Sequence, residues 1–252
     1  MALSNVTPVL FHLICLLAHA ISAEDCPKML LLGTEFPNFT ANSTEGVINL
    51  HEYLGDSWGI LFAHPADFTP VCTTELARVV KLMPEFEKRN VKVIGMSPDK
   101  VENHQSWAKD IKMYAGVSED SSFPYPIIAD EDRSISIKLN MIDMMEKNKE
   151  GVPLTARGVF IICPKKLFRL SILYPATTGR NFNEILRVVD SLQMTDKHPV
   201  ATPVDWKAGE SVMIQPSLPQ EKANELFAGT HTVTLPSGKP YMRMAPQPAI
   251  PN

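Results

Sequence analysis

Two rhythms of apolar residues run along this chain of 252 residues. Trp58-Gly59-Ile60-Leu61-Phe62-Ala63 is a continuous apolar run, the pattern of a strand buried on both faces. It breaks at Pro65 and Pro70. From there Leu76, Val79, Val80 and Met83 recur at i, i+3, i+4 and i+7, the single stripe of an amphipathic helix. Pro84 is expected to kink or shorten that helix. Residues 91–97 read as a second strand, and residues 101–114 as a helix carrying His104 and Trp107, with His104 a packing or surface residue. Residues 123–129, punctuated by prolines, lead through Asp130-Glu131-Asp132 to a short helix ending at Leu139. Residues 141–149 read as a polar, Met-rich connection. Arg157 then opens an apolar strand, with residues 166–174 as its hairpin partner. Residues 181–192 carry Phe182, Ile185, Leu186 and Val189 on one helical face. Upstream, residues 46–53 read as a strand and turn. Strands alternating with helices in this way predict an α/β sheet protein.

From His198 the character changes. Seven prolines, from Pro199 to Pro246, punctuate short strand-like pieces and one short helix over residues 220–227. This reads as a small appended domain with a mobile Pro-rich tail from about Ala245. At the other end, residues 1–23 carry no charged side chain. Their apolar run, residues 9–21, is too short for a comfortable membrane span. The small-residue sites Ala18-His19-Ala20 and Ile21-Ser22-Ala23 follow, then Glu24-Asp25, so the stretch reads as a cleaved secretory signal peptide. A signal anchor and a misassigned start codon are the rivals. Secretion is the expected location, with the cytoplasm as the alternative.

A net charge of −4 argues against a nucleic-acid footprint. The 4 cysteines form neither a disulfide scaffold nor a C-x-x-C, so neither a zinc site nor a dithiol is indicated. After cleavage Cys26, Cys72 and Cys163 remain. Cys26 lies close to the mature terminus, free or paired between chains. Cys163 ends the run Val159-Phe160-Ile161-Ile162 and reads as a buried, inert thiol. Asn38-Phe39-Thr40 and Asn42-Ser43-Thr44 are glycosylation sequons in a polar, loop-like segment.

Cys72 is different, because it falls in the first turn of a helix that follows a strand. The unpaired N–H groups and partial positive charge there favour a thiolate, the nucleophilic form. Thr69, three residues earlier, can set its hydroxyl beside the sulfur as donor or acceptor. Pro65 and Pro70 stiffen the loop. Arg157 starts an otherwise apolar run, so its charge needs a partner. Arg180 stands at a helix start, where a cation is disfavoured by roughly 0.3–1 kcal/mol. On position alone either arginine also fits a surface cation. His64 adjoins the loop and either tunes the site or packs.

Pro65-x-x-x-Thr69-x-x-Cys72 resembles the active-site pattern of the peroxiredoxins, and the string from His64 to Leu76 resembles their 1-Cys, peroxiredoxin-6 branch. The similarity continues through Leu154-Thr155-Ala156-Arg157, the stretch from Ser171 to Phe182, that from Val200 to Trp206 and that from Leu235 to Tyr241. It covers nearly everything from about Leu30 to Pro248. The resemblance implies a thioredoxin-like fold with a small C-terminal α+β domain, residues 28–198 and 199–252 after the leader at 1–23. It implies an antioxidant thiol peroxidase that reduces hydrogen peroxide and organic or lipid hydroperoxides. Cys72, Thr69, Pro65 and Arg157 would carry the chemistry, with Arg180 and His64 secondary. No metal or prosthetic cofactor is implied. The reductant would be an external thiol such as glutathione or another small thiol, since no cysteine follows Cys163. A homodimer is expected, and no nucleic acid partner.

Two other functions stand beside it. Gly55-Asp56-Ser57-Trp58-Gly59 is a G-x-S-x-G match, and in peroxiredoxin-6 relatives the corresponding serine and a nearby histidine, here Ser57 and His51, are implicated in phospholipase A2 activity. A nucleophile elbow needs a strand before the serine and a helix after it, whereas here a strand follows. The family's third member, an aspartate, aligns with Lys165, which cannot accept the histidine N–H. A tight turn and at most a weak phospholipid contact are the preferred readings. The remaining alternative is a non-catalytic secreted holdase on the same fold.

Overall fold

The structure, a computed structural model, describes residues 30–249. The leader at 1–23 and Cys26 lie outside the described residues. Among the described residues the first strands form a hairpin of β1 (Thr40–Ser43) and β2 (Gly46–Asn49), followed by α1 (Leu50–Leu54). Next come β3 (Trp58–Ala63), α2 (Pro70–Lys88), β4 (Val91–Ser97), α3 (Val101–Ala115), β5 (Ile127–Ala129) and α4 (Ser134–Lys138). A ribbon of β6 (Ile142–Lys147) and β7 (Pro153–Thr155) leads into β8 (Arg157–Ile162), β9 (Phe168–Tyr174) and α5 (Phe182–Lys197). The C-terminal part adds β10 (Val200–Ala201), β11 (Val212–Ile214), α6 (Gln220–Leu226), β12 (His231–Thr232) and β13 (Arg243–Ala245).

Seven strands form one mixed sheet in the order β2-β1-β5-β4-β3-β8-β9. β3 runs parallel to β4 and antiparallel to β8, and all six of its residues are buried. An unbroken apolar run is what a strand covered on both faces requires. Trp58, Ile60 and Phe62 alternate out of β3 into the main core, where they meet Leu76, Val79 and Phe86 of α2, Trp107 and Ile111 of α3, and Ile185 and Val189 of α5. This is the α/β architecture of the thioredoxin type. Beyond it, a four-stranded sheet, β10-β11-β13-β12, encloses a second small core of Met194, Val200, Trp206, Val212, Ile214, Ala223, Phe227 and Ala245.

Several local expectations are corrected. α2 runs through Pro84 to Lys88. The proline forfeits only the bond to the Val80 carbonyl, and the last turn is held from outside. Phe86 is buried in the core, while Arg89 donates to the Glu85 carbonyl and to Asp190 of α5. The turn expected within residues 46–53 is α1, whose N-cap Asn49 accepts from the Glu52 N–H. The connection at 141–149 contains β6, paired to β7 with a bulge at Asp143, whose carboxylate accepts from the Met145 and Glu146 N–H groups. The segment holding Asn42 is a strand, with Asn42 opposite Val47. Ala245 is not part of a tail, being fully buried and paired with Val212.

Gly59 illustrates how closely the central strand is packed. A Cβ there would overlap Leu54 Cδ2 and Cδ1, and Leu54 is itself buried. Gly59→Ala is therefore expected to cost about 1–3 kcal/mol by overpacking. Thermal unfolding should show the midpoint falling by several degrees, and an unchanged midpoint would show that Leu54 has room to move.

Candidate active site

The sheet register assembles the site. β8 lies antiparallel to β3 with Phe62 opposite Val159. The first residue of β8, Arg157, thus arrives at the end where β3 releases the loop 64–69. That loop turns through Phe68, which takes a positive φ of 53°, and delivers Thr69 as N-cap of α2 with Pro70 behind it. Cys72 follows in the first turn, fully buried.

Arg157 Nη1 donates to Cys72 Sγ at 3.1 Å and to Glu75 Oε2 at 2.9 Å. Its Nε donates to the Ala176 carbonyl at 2.9 Å, which fixes the guanidinium plane. Glu75 sits one helical turn after Cys72 and also receives Arg180, through the backbone N–H at 2.7 Å, Nε at 3.1 Å and Nη2 at 2.8 Å. The remaining Nη1 of Arg180 spans the Ala63 and Gly158 carbonyls at 2.8 Å each. Burial pushes the Glu75 carboxyl up, but the Arg180 and Arg157 charges and hydrogen bonds outweigh it and hold the group below the usual carboxylate range. Two cations on one anion leave a net positive charge facing the sulfur. A guanidinium N–H aimed at the sulfur, at the N-terminal end of a helix, puts positive potential where the nucleophile stands.

The Thr69 hydroxyl does not bond the sulfur. It donates to the Ala66 carbonyl at 2.9 Å, so its oxygen presents only lone pairs and can accept from a peroxide O–H. Thr73 Oγ1 donates to the Thr69 carbonyl at 2.8 Å and accepts from Trp107 Nε1 at 3.1 Å, which ties the first turn of α2 to α3. Pro65 is buried at the base of the loop.

His64 and His104 are joined by a residue that the sequence reading passed over. Asp67 Oδ1 accepts from His64 Nε2 at 2.8 Å and its Oδ2 from His104 Nδ1 at 2.6 Å, with all three side chains fully buried. His104 is thus neither a surface residue nor mere packing. Burial raises the Asp67 carboxyl, but the hydrogen bonds from His104 and His64 outweigh that and bring it down to about 2. Burial also holds the His64 ring below the usual imidazole range, against the pull of Asp67.

Glu75 and Asp67 both escaped the sequence reading, although each left a trace. Glu75 is a charge on the stripe that buries Leu76 and Val79, at i+3 from Cys72. Asp67 is the one acidic residue between the two prolines of the loop, Pro65 and Pro70.

Ser57 and His51 are not brought together as a nucleophile and base. Ser57 Oγ donates to Asn90 Oδ1 at 2.8 Å, while His51 Nε2 bonds the Phe36 carbonyl at 2.8 Å. The strand β3 follows Ser57, as the pattern indicated. Asn38 and Asn42 are both exposed, and Asn38 Oδ1 accepts from the His51 N–H. Cys163 is buried in the β8–β9 turn.

A cysteine held in this way on a thioredoxin-like sheet defines a class, that of the thiol peroxidases. Comparison with known proteins places the chain within it. Residues 32–171 match the AhpC/TSA family and residues 191–229 the C-terminal domain of 1-Cys peroxiredoxin. The chain belongs to the AhpC/TSA family and is a peroxiredoxin of the 1-Cys, peroxiredoxin-6 kind. It is 62% identical to peroxiredoxin-6 of Rattus norvegicus over 223 residues, 88% of this chain and 100% of the relative. It is 59% identical to that of Homo sapiens over 223 residues, with the same shares covered. Among solved structures, a mutant of peroxiredoxin 6 of Arenicola marina superposes with a TM-score of 0.85 at 53% identity, over 87% of this chain and 99% of the other. A yeast mitochondrial 1-Cys peroxiredoxin superposes with a TM-score of 0.78 at 46% identity, over 86% of this chain and 100% of the other.

Removing the donor at the sulfur should be costly. Arg157→Met is expected to slow hydrogen peroxide consumption on the order of 100-fold, the usual loss when one preorganised donor to developing charge is removed. Stopped-flow fluorescence measures it, and a rate within a factor of about two of the parent would rule out a role for the contact.

The buried histidine sets a pH signature. Its folded-state affinity for a proton lies below the ordinary value of 6.5, so below that pH the unfolded chain takes up a proton that the native one refuses. Stability is complete above pH 6.5 and falls as the solution is acidified through the native value. A second loss follows below 3.8, as Asp67 is forced towards protonation near its native value of about 2. Calorimetry from pH 8 downward should show the first limb in the parent and a smaller one in His64→Gln, which keeps an N–H for Asp67.

Proposed function

We propose that Cys72 is the peroxidatic residue of this thiol peroxidase, and the 3.1 Å contact from Arg157 to its sulfur carries the assignment. The thiolate attacks one peroxide oxygen. The S–O bond forms as the O–O bond breaks, and the departing oxygen leaves as hydroxide or alkoxide that is protonated to water or alcohol. Thr69 Oγ1 accepts from the peroxide O–H, while the net positive charge of Arg157, Arg180 and Glu75 stabilises the leaving oxygen. Exposed Phe68 on the loop gives the approach an apolar side, which supports organic and lipid hydroperoxides beside hydrogen peroxide as substrates.

The product is a sulfenic acid at Cys72, which a second thiol must resolve. Cys163 does not fit that role. It lies six residues from Arg157 along an extended strand, about 20 Å away at the usual strand rise, and is buried. An external small thiol therefore attacks the sulfenic sulfur, releasing water and leaving a mixed disulfide, and a second thiol frees Cys72. The similar yeast mitochondrial 1-Cys peroxiredoxin is described as resolved through glutathione/thioredoxin systems, which supports this reading.

The unit in solution is a homodimer. Support comes from β9, the end strand of the large sheet, whose outer side from Leu170 onward pairs with no strand among the described residues and leaves Leu173 half exposed. The apolar leader and small-residue cleavage sites support export, with Asn38 and Asn42 then open to glycosylation. Antioxidant defence in the secretory pathway is the resulting role.

Intact-mass analysis of protein from its native source, before and after one equivalent of peroxide, tests the whole reading. The expected mature chain begins at residue 21 or 24, and its mass rises by one oxygen, trapped at Cys72 by a sulfenic-acid reagent and absent in Cys72→Ser. A full-length chain would overturn the export reading. A quantitative intramolecular disulfide to Cys163 would overturn the 1-Cys cycle.

A further inference from the structure

Behind the loop that carries the reactive cysteine lies a proton inventory that the peroxidase chemistry above does not use. An ionised Asp67 can only accept, so the nitrogen facing each of its oxygens must carry hydrogen. Oδ1 therefore fixes the proton of His64 on Nε2, and Oδ2 requires one on His104 Nδ1, while His104 Nε2 faces the Ile128 carbonyl at 3.2 Å. His64, neutral because it is buried, is left with its lone pair on Nδ1. That atom is buried with no hydrogen-bond partner, the one such side-chain nitrogen or oxygen among the described residues. An unpaired buried acceptor costs free energy, so its retention beside a reactive centre points to use.

The same aspartate is also fastened by groups that say nothing about protons. Its backbone N–H donates to Asp99 Oδ2 at 2.8 Å, and Ser97 Oγ donates to its Oδ1 at 3.3 Å. The ring of His64 lies 5.2 Å from that of Trp107, whose Nε1 bonds Thr73 on the turn that follows Cys72. The cation whose charge also bears on His64 is Arg180, itself bonded to the Ala63 carbonyl.

We propose that Asp67, with His104 behind it, is a positioning residue for peroxide reduction, holding His64 as the Nε2–H tautomer so that an unprotonated Nδ1 is offered to the site. The role rests on the assignment of Cys72 as the peroxidatic residue, but its physical content can be read without turnover. Asp67→Asn replaces two acceptor oxygens with one oxygen and one NH₂, so one of the two rings must present a lone pair where it had a hydrogen. His104→Asn keeps an N–H at the position of Nδ1, whereas His104→Leu removes it.

Two readouts test this on the full chain. Long-range ¹H–¹⁵N spectra of the histidine rings report the His64 tautomer, with or without peroxidase activity. Stopped-flow consumption of hydrogen peroxide gives the rate. The parent is expected to show Nε2–H and a bare Nδ1 at His64. Asp67→Asn and His104→Leu should shift or mix that pattern and slow the reaction about 10–100-fold, as lost supporting partners of functional imidazoles do. His104→Asn should restore both, and Ser97→Ala, which loosens the loop without touching either ring proton, should leave the ring pattern in place. If Asp67→Asn does not fold, the His104 pair decides. The proposal fails if parental His64 carries its proton on Nδ1, or if His104→Asn is as slow as His104→Leu. It also fails if Ser97→Ala slows the reaction as much as Asp67→Asn, since mere loop tethering would then suffice.

Discussion

Everything at the reactive end of this molecule hangs on one buried carboxylate. Glu75 receives two guanidiniums that would otherwise repel each other in a place without water, and it ties α2 to β8 and to the segment ahead of α5. Removing one partner of such a buried set typically costs about 3–5 kcal/mol, because the charge left behind has nowhere to go. The arrangement is also asymmetric in its use. Arg180 spends its hydrogens on Glu75 and two carbonyls, while Arg157 keeps one for sulfur. One ion cluster therefore serves both as a fastening of the fold and as the source of positive potential at the thiol.

The sheet makes that cluster possible. Residues from α2, β8 and the turn before α5 meet because an antiparallel strand was inserted beside a parallel pair. β3 and β4 release their chains at one end of the sheet, where open α/β sheets gather their ligands. β8 enters at that same end, so the first residue of one strand and the last of another become neighbours. The loop between β3 and α2 can then be pinned from the side by Ser97, the last residue of β4, and by Asp99 just beyond it.

How much of this could be read from the sequence depended on how local the cause was. The buried run of β3, the stripe of α2 and the first-turn position of Cys72 are set by spacing over a few residues, and they were legible. So was the demand of Arg157 for a partner, although not the partner. Glu75, Asp67 and His104 take their roles from contacts across 37 to 105 positions of sequence, and no periodicity carries that information. The ribbon of β6 and β7 was hidden for another reason: it buries little, so its residues show no alternation, and Met144 and Met145 both face solvent. Pro84 misled because its usual effect was offset by tertiary bonds from Arg89 to α5.

The complete burial of Cys72 has a consequence for the two halves of its working cycle. A sulfur without exposed surface is not equally open to all comers. Hydrogen peroxide, hardly larger than water, needs only a small breathing motion of the loop between His64 and Thr69 to reach it. A bulkier thiol cannot reach the sulfur unless that loop and the first turn of α2 draw back together. The two steps therefore ask different amounts of movement from the same anchored loop. The longer the oxidised sulfur waits for its thiol, the more readily a second peroxide carries it further up the oxidation ladder.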